Sequence, residues 1–143
     1  NDIEKEFYFV FIDCPPSLGI LTVNSLVASN SVLVPLQCEF FALEGLAQLL
    51  RTIEKIKENL NPHLFLEGVI LTMFDSRNSL SEDVVNDARE HLGEKVFETI
   101  IPRNVRLSEA PSHALPAIIY DQRCAGSLAY IDLAKELIRR LKI

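Results

Sequence analysis

Asp13 is the residue whose setting says most about chemistry. It follows an unbroken apolar run at residues 7–12 (FYFVFI) and opens the stretch Asp13-Cys14-Pro15-Pro16-Ser17-Leu18-Gly19. A short run of β-branched and aromatic residues reads as a strand buried on both faces. A carboxylate at the mouth of such a strand is placed to hold Mg2+, or the waters around it, beside a nucleotide phosphate. The same pattern also serves as a helix cap or a turn acid, so alone it does not specify a metal. The two prolines lack backbone N–H groups and have fixed φ. They make a stiff segment that ends in the flexible Gly19. This fits a loop that senses a terminal phosphate, and it fits a rigid structural turn equally.

The other reactive residue types are sparse. Three cysteines, Cys14, Cys38 and Cys124, are widely spaced and show no metal-ligand spacing; they read as reduced thiols. His63, His91 and His113 are scattered and read as surface or cap residues.

The elements that must position these residues alternate between strand and helix. Residues 20–29 read as a helix, and Val32, Leu33 and Val34 as a second buried strand stopped by Pro35. Residues 41–60 read as a long helix, with Leu43, Leu46, Leu50, Ile53, Ile56 and Leu60 on one apolar face. Asn61-Pro62 ends it. Residues 66–74 (LEGVILTMF) form a third strand, and Ser79-Leu80-Ser81-Glu82 resembles a capping box ahead of a helix closed by Gly93. Residues 96–101 form a fourth strand, 104–110 a short helix or turn, 117–120 an extended piece, and 126–141 a final amphipathic helix. Its basic residues Lys135, Arg139, Arg140 and Lys142 flank Leu137, Ile138 and Leu141, a pattern of membrane-surface helices that is met more often where a packing helix complements its own dipole.

Alternation of this kind implies an α/β fold with a parallel sheet covered by helices on both faces. Ligands in such sheets bind outside the carboxyl ends of the strands. That directs attention to residues 13–19, 35–41, 73–78 and 102–112. The formal net charge of −6 argues against an avid nucleic-acid coat protein but leaves room for a local basic patch. No apolar run approaches the roughly 18–20 residues of a bilayer span.

Four blocks resemble one family. Phe11-Ile12-Asp13-Cys14-Pro15-Pro16-Ser17-Leu18-Gly19 is similar to the Walker B and switch II segment of the ParA/Soj family of deviant-Walker ATPases, which partition chromosomes and plasmids. Pro35-Leu36-Gln37-Cys38-Glu39 with Ala42-Leu43-Glu44-Gly45-Leu46 resembles the same family, as do Leu71-Thr72-Met73-Phe74-Asp75-Ser76-Arg77 and the block from Ile101 through Arg106 to Ser112. The resemblance implies a P-loop NTPase fold. It implies Mg2+ coordination and placement of the attacking water by Asp13, nucleotide binding by Asp13 and Pro15, and Met73, Pro102 and Asn104 near an adenine ring. Arg77 and Arg106 would carry sequence-independent binding to duplex DNA, with Arg103 a weaker candidate. The implied cofactors are ATP and Mg2+. The implied partners are a ParB-type protein, DNA and a second copy in the ATP state, in the cytoplasm at the nucleoid and without stable membrane association. The rival readings are a membrane-positioned ATPase like the MinD division-site proteins, and a truncated, non-catalytic interaction module.

A P-loop needs Gly-x-x-x-x-Gly-Lys-Ser/Thr or its deviant form. Five glycines are present, Gly19, Gly45, Gly68, Gly93 and Gly126, and none precedes a lysine. With Asn1 rather than Met at its start, the chain is expected to be the C-terminal portion (residues 1–143) of a single ParA-type domain. By itself it is expected to bind ATP poorly and to be inactive. Without a P-loop strand beside it, the run at residues 7–12 is expected to rearrange, pair with another chain or lose its strand.

Overall fold

The computed structural model describes residues 3–15 and 17–142; Asn1, and Pro16 of the double proline, lie outside the described residues. The chain divides into two compact units, Asn1–Val32 with Leu49–Phe65, and Leu33–Gln48 with Leu66–Ile143.

In the first unit, α1 (Ile3–Glu6) leads into residues 7–15, which form no strand. This corrects the reading of residues 7–12 as a buried strand and agrees with the expectation that, without a P-loop strand beside it, the run loses its strand. Their side chains face solvent, Tyr8 at 92% and Phe11 at 72% exposure. A strand needs a paired strand for its N–H and C=O groups, and among the described residues this run has no such neighbour. Next comes α2 (Ile20–Ala28), whose start is fixed by Thr22, donating from Oγ1 to the Ser17 carbonyl at 2.6 Å. The Asn61 side-chain amide closes the other end by donating to the Leu26, Val27 and Ser29 carbonyls at 3.1, 3.2 and 2.8 Å. These are the carbonyls a helix end leaves without partners. Leu26, Ile53, Ile56 and Leu64 form the core of the unit, with Val23, Val32, Leu49 and Leu50 packed around them. Leu60, expected on the same apolar stripe, is instead 58% exposed, because the helix has already ended.

The second unit carries all of the sheet but the first residues of two strands, in the order β1 (Ser31–Gln37), β2 (Phe65–Phe74), β3 (Val96–Pro102). β2 and β3 are parallel, with Val69 opposite Val96 and Phe74 opposite Pro102. Pro35 does not stop β1; it sits exposed within the strand, between buried Val34 and Leu36. β1 is an edge strand, where a missing N–H is tolerated. In central β2 the four consecutive residues Gly68, Val69, Ile70 and Leu71 are all buried, so both faces of that strand are covered.

Helices α3 (Ala42–Asn59) and α4 (Ser79–Leu92) connect β1 to β2 and β2 to β3. The cap of α4 is Asn78, whose side chain accepts from the Leu80 N–H, and not the expected Ser79, which is already helical. Gly93 ends α4 as expected, with a positive φ of 52° that glycine adopts without a steric cost. Beyond β3 lie α5 (Val105–Glu109), α6 (Ala117–Tyr120) and α7 (Ala125–Leu141). Residues 117–120 are thus a helical turn, not extended; Pro116 fixes φ just before it, and its carbonyl receives the Ile119 and Tyr120 N–H groups at 2.9 Å each.

α7 packs on β3, with Leu133 and Leu137 against Ile70, Phe97 and Ile101. Its expected apolar face is only partly the buried one, since Leu128 and Ile138 are 50% and 44% exposed. The helix is anchored instead by a buried carboxylate. Glu136, 3% exposed, accepts from the Glu98 and Thr99 N–H groups at 2.9 Å each and from Arg140 Nε at 3.0 Å. Arg140 reaches onward to the Glu94 and Val96 carbonyls and lies 4.1 Å over the Phe97 ring. Among the described residues no helix is long and apolar enough to cross a membrane.

Candidate functional site

Asp13 and Pro15 belong to the first unit and are exposed on the irregular segment after residues 7–12. Among the described residues the Asp13 carboxylate takes part in no hydrogen bond or ion pair, and no group of three or more His, Cys, Asp or Glu is placed to hold a metal by protein ligands alone. A single accessible carboxylate fits Mg2+, which is held by one or two carboxylates together with substrate phosphates and water. It does not fit a cation that needs a complete protein cage.

The remaining candidates lie in the second unit, where a cleft of about 920 Å3 opens at the carboxyl ends of all three strands. It is lined by Gln37 and Cys38 after β1, by Met73 and Asp75 at the end of β2, and by Arg103 after β3, with Arg77 and the first turn of α4 beside them. Its volume falls within the range of roughly 300–1,000 Å3 typical of small-molecule pockets. Met73 has φ 55°, a left-handed conformation that is uncommon for a residue with a long side chain. Such backbone strain collects at functional sites. The chain beyond β3 is tied to β2 by the Arg103 N–H, which donates to the Phe74 carbonyl at 2.8 Å.

The cleft is electrically balanced. Arg77 chelates Asp75 through Nε and NH2 at 2.9 and 2.7 Å, and its backbone N–H donates to the same carboxylate at 3.1 Å. These hydrogen bonds, the side-chain ones foremost, hold the Asp75 carboxyl well below the usual carboxylate range. Arg103 NH2 donates to Glu39 Oε1 at 3.1 Å. Phe40 and Phe41 stand at the rim, edge to face with centroids 5.1 Å apart, and are 69% and 74% exposed. Beneath them Cys38 is buried, which pushes its thiol up in pKa, and its carbonyl accepts from Ser81 Oγ at 3.3 Å.

Thus Met73 and Arg77 share one cleft, while Pro102 and Asn104 flank its Arg103 without lining it. Asn104 caps α5, its Oδ1 accepting from the Arg106 N–H at 2.9 Å. Arg106 projects from that helix, and its NH1 donates to Glu109 Oε2 at 2.8 Å. Sequence reasoning missed the acidic partners. For Glu109 the signal was available, as a carboxylate three residues after an arginine on one helix; Asp75, two residues before Arg77 outside any helix, carried no such signal. Nothing local marked Asp121, whose Oδ2 lies 3.5 Å from Arg106 Nε.

Comparison with known proteins follows the same lines. The AAA domain family matches residues 1–66. The chain is 60% identical over 134 residues to the chromosome partitioning protein ParA of Caulobacter vibrioides, a match covering 94% of this chain and 50% of that protein. It is 52% identical over 135 residues to the sporulation initiation inhibitor protein Soj of Bacillus subtilis, covering 94% and 53% respectively. Among solved structures, cobyrinic acid a,c-diamide synthase from Mycobacterium smegmatis, with bound ADP and magnesium, superposes with a TM-score of 0.77 at 38% identity, covering 99% of this chain and 50% of that one. The fold is therefore of the P-loop NTPase type. The chain spans about half the length of these relatives.

Proposed function

Because the chain belongs to the ParA/Soj family of partitioning ATPases, we propose that it supplies the Walker B, base-contacting and DNA-contacting parts of an ATP-driven DNA-segregation switch. The observation that carries the reading is the cleft at the carboxyl ends of the three parallel-fold strands, with the strained Met73 on its wall. That is where open α/β sheets take their ligands.

In this reading Asp13 would hold Mg2+ beside the triphosphate and orient the attacking water, and the bound metal would supply charge neutralisation for phosphoryl transfer. Pro15 keeps the segment after Asp13 stiff. The Met73 thioether and the Pro102 ring offer apolar surface to a flat base, and the Asn104 cap fixes the loop that would edge it. Arg77 and Arg106 take phosphates of duplex DNA, which gives salt-sensitive, sequence-indifferent binding. The ATP-bound state is a homodimer. A ParB-type partner stimulates hydrolysis and so releases the protein from the nucleoid, in the cytoplasm and without stable membrane association. This chain alone, without a Gly-Lys phosphate loop, does not turn over ATP.

The test uses the intact parent protein. With Mg-ATP it should release phosphate and be retained on random-sequence duplex DNA. Asp13→Ala should abolish the first, and Arg106→Glu should abolish the second at moderate salt. A parent that releases no phosphate, or an Arg106→Glu variant that binds DNA normally, overturns the corresponding half of the proposal.

A further inference from the structure

Arg106 is not presented to solvent as a bare cation. Its NH1 donates to Glu109 Oε2 at 2.8 Å, and its Nε lies 3.5 Å from Asp121 Oδ2. Both carboxylates are themselves held in place. Glu109 Oε2 also accepts from Tyr120 OH at 3.2 Å, and the Tyr120 ring stacks on His113 with centroids 4.8 Å apart. Asp121 Oδ1 accepts from the Arg123 and Cys124 N–H groups at 3.1 Å each, which fixes it in the turn before α7. One guanidinium therefore faces two carboxylates. A phosphate arriving there meets a local excess of negative charge and competes with Glu109 for an N–H of NH1, one of the five guanidinium N–H donors. Arg77 differs: it faces the single carboxylate of Asp75, a balanced pair, and its side chain is 85% exposed.

We propose that Glu109 and Asp121 are built-in competitors for phosphate at Arg106, which limit the affinity of this arginine for DNA and keep the contact readily reversible. The proposal rests on the reading of Arg106 as a DNA contact. Removing a competitor removes an exposed ion pair that a phosphate would otherwise have to displace. The gain should be that of such a pair, roughly twofold to fivefold in affinity. More counterion is then released on binding, so the salt dependence steepens.

The experiment is a double-mutant cycle on the intact parent with Mg-ATP, reading anisotropy of a labelled random-sequence duplex over a salt titration. Glu109→Gln keeps the shape and loses the charge; it should tighten binding roughly twofold to fivefold, with Asp121→Asn as a second variant acting in the same direction. In an Arg106→Ala background Glu109→Gln should change nothing. A gain of equal size in that background means a general loss of negative charge and overturns the competitor role. So does an unchanged affinity for both carboxylate variants while Arg106→Ala weakens binding. If Arg106→Ala itself binds as tightly as the unaltered protein, the DNA reading of Arg106 fails first and takes the competitor role with it.

Discussion

Residues 7–12 (FYFVFI) are more apolar than residues 96–101 (VFETII), yet only the second stretch is a strand. In the second, Phe97 and Ile101 are buried at 0% and 2% exposure, while in the first even the least exposed side chain, Phe9, is 38% exposed. Intrinsic preference for the pleated backbone favours the first. What differs is the neighbourhood. β3 has β2 on one side to complete its hydrogen-bond ladder and α7 to cover a face. It also has Glu136, which takes the N–H groups of Glu98 and Thr99. An apolar run becomes a strand when its polar backbone has somewhere to go, and hydrophobicity alone does not provide that.

The comparison can be broken most forcefully at Glu136. Glu136→Ala strands the largely buried Arg140 and two backbone N–H groups, and should cost about 3 kcal/mol by urea denaturation; a loss below about 1 kcal/mol would mean that apolar contacts with α7 suffice. The same carboxylate sets an acid limit. Burial would raise its pKa, but hydrogen bonds from Thr99, the Glu98 N–H and Arg140 outweigh burial and lower it. Its contribution is therefore complete above the unfolded carboxyl range, about 4.3, and is lost as pH falls through the lower folded value. A Glu136→Gln variant should show a flatter stability decline on the acid side than the unaltered chain.

A smaller effect should separate two glycines. A Cβ on Gly68, in β2, would stand 2.6 Å from the Phe97 ring and 2.7 Å from the Lys95 carbonyl oxygen. Gly68→Ala should therefore destabilise by about 1–3 kcal/mol. Gly45, inside α3, has nothing within 4 Å of such a carbon. Gly45→Ala should stabilise by about 0.5–1 kcal/mol, the helix-propensity difference; thermal melts of both variants decide the sign. The smallest effect belongs to the exposed run. Tyr8→Ser should shift stability by no more than about 0.5 kcal/mol, and a larger loss would place Tyr8 in a packed environment.

Much of this was legible in the sequence, for local reasons. The stripe at Leu46, Ile53 and Ile56 gave the buried face of α3, and Gly93 gave the end of α4. Both are set within one or two turns of chain. The ends of β2 and β3 also fell where the apolar runs stop, and so Met73, Asp75, Arg77, Asn78 and Arg103, which line the cleft, were already among the marked strand-end positions. The cap of α4 slipped by one residue because Asn78 competes with Ser79 for the same role, and asparagine is at least as good a cap. Residues 117–120 and Pro35 were misread because their state depends on partners outside the segment.

By itself the amino-acid order determined the apolar stripe of α3, the ends of β2 and β3, which arginines stand after those two strands, and that it contains no Gly-Lys phosphate loop. It determined these because caps, breakers and periodicity act between residues close in the chain. Only the tertiary structure decided that residues 7–12 stay out of the sheet, that Glu136 is the buried anchor of α7, and that Arg106 faces two carboxylates. Each of these depends on groups brought together from separate stretches of chain, where the balance of desolvation against pairing is set in space and not along the sequence.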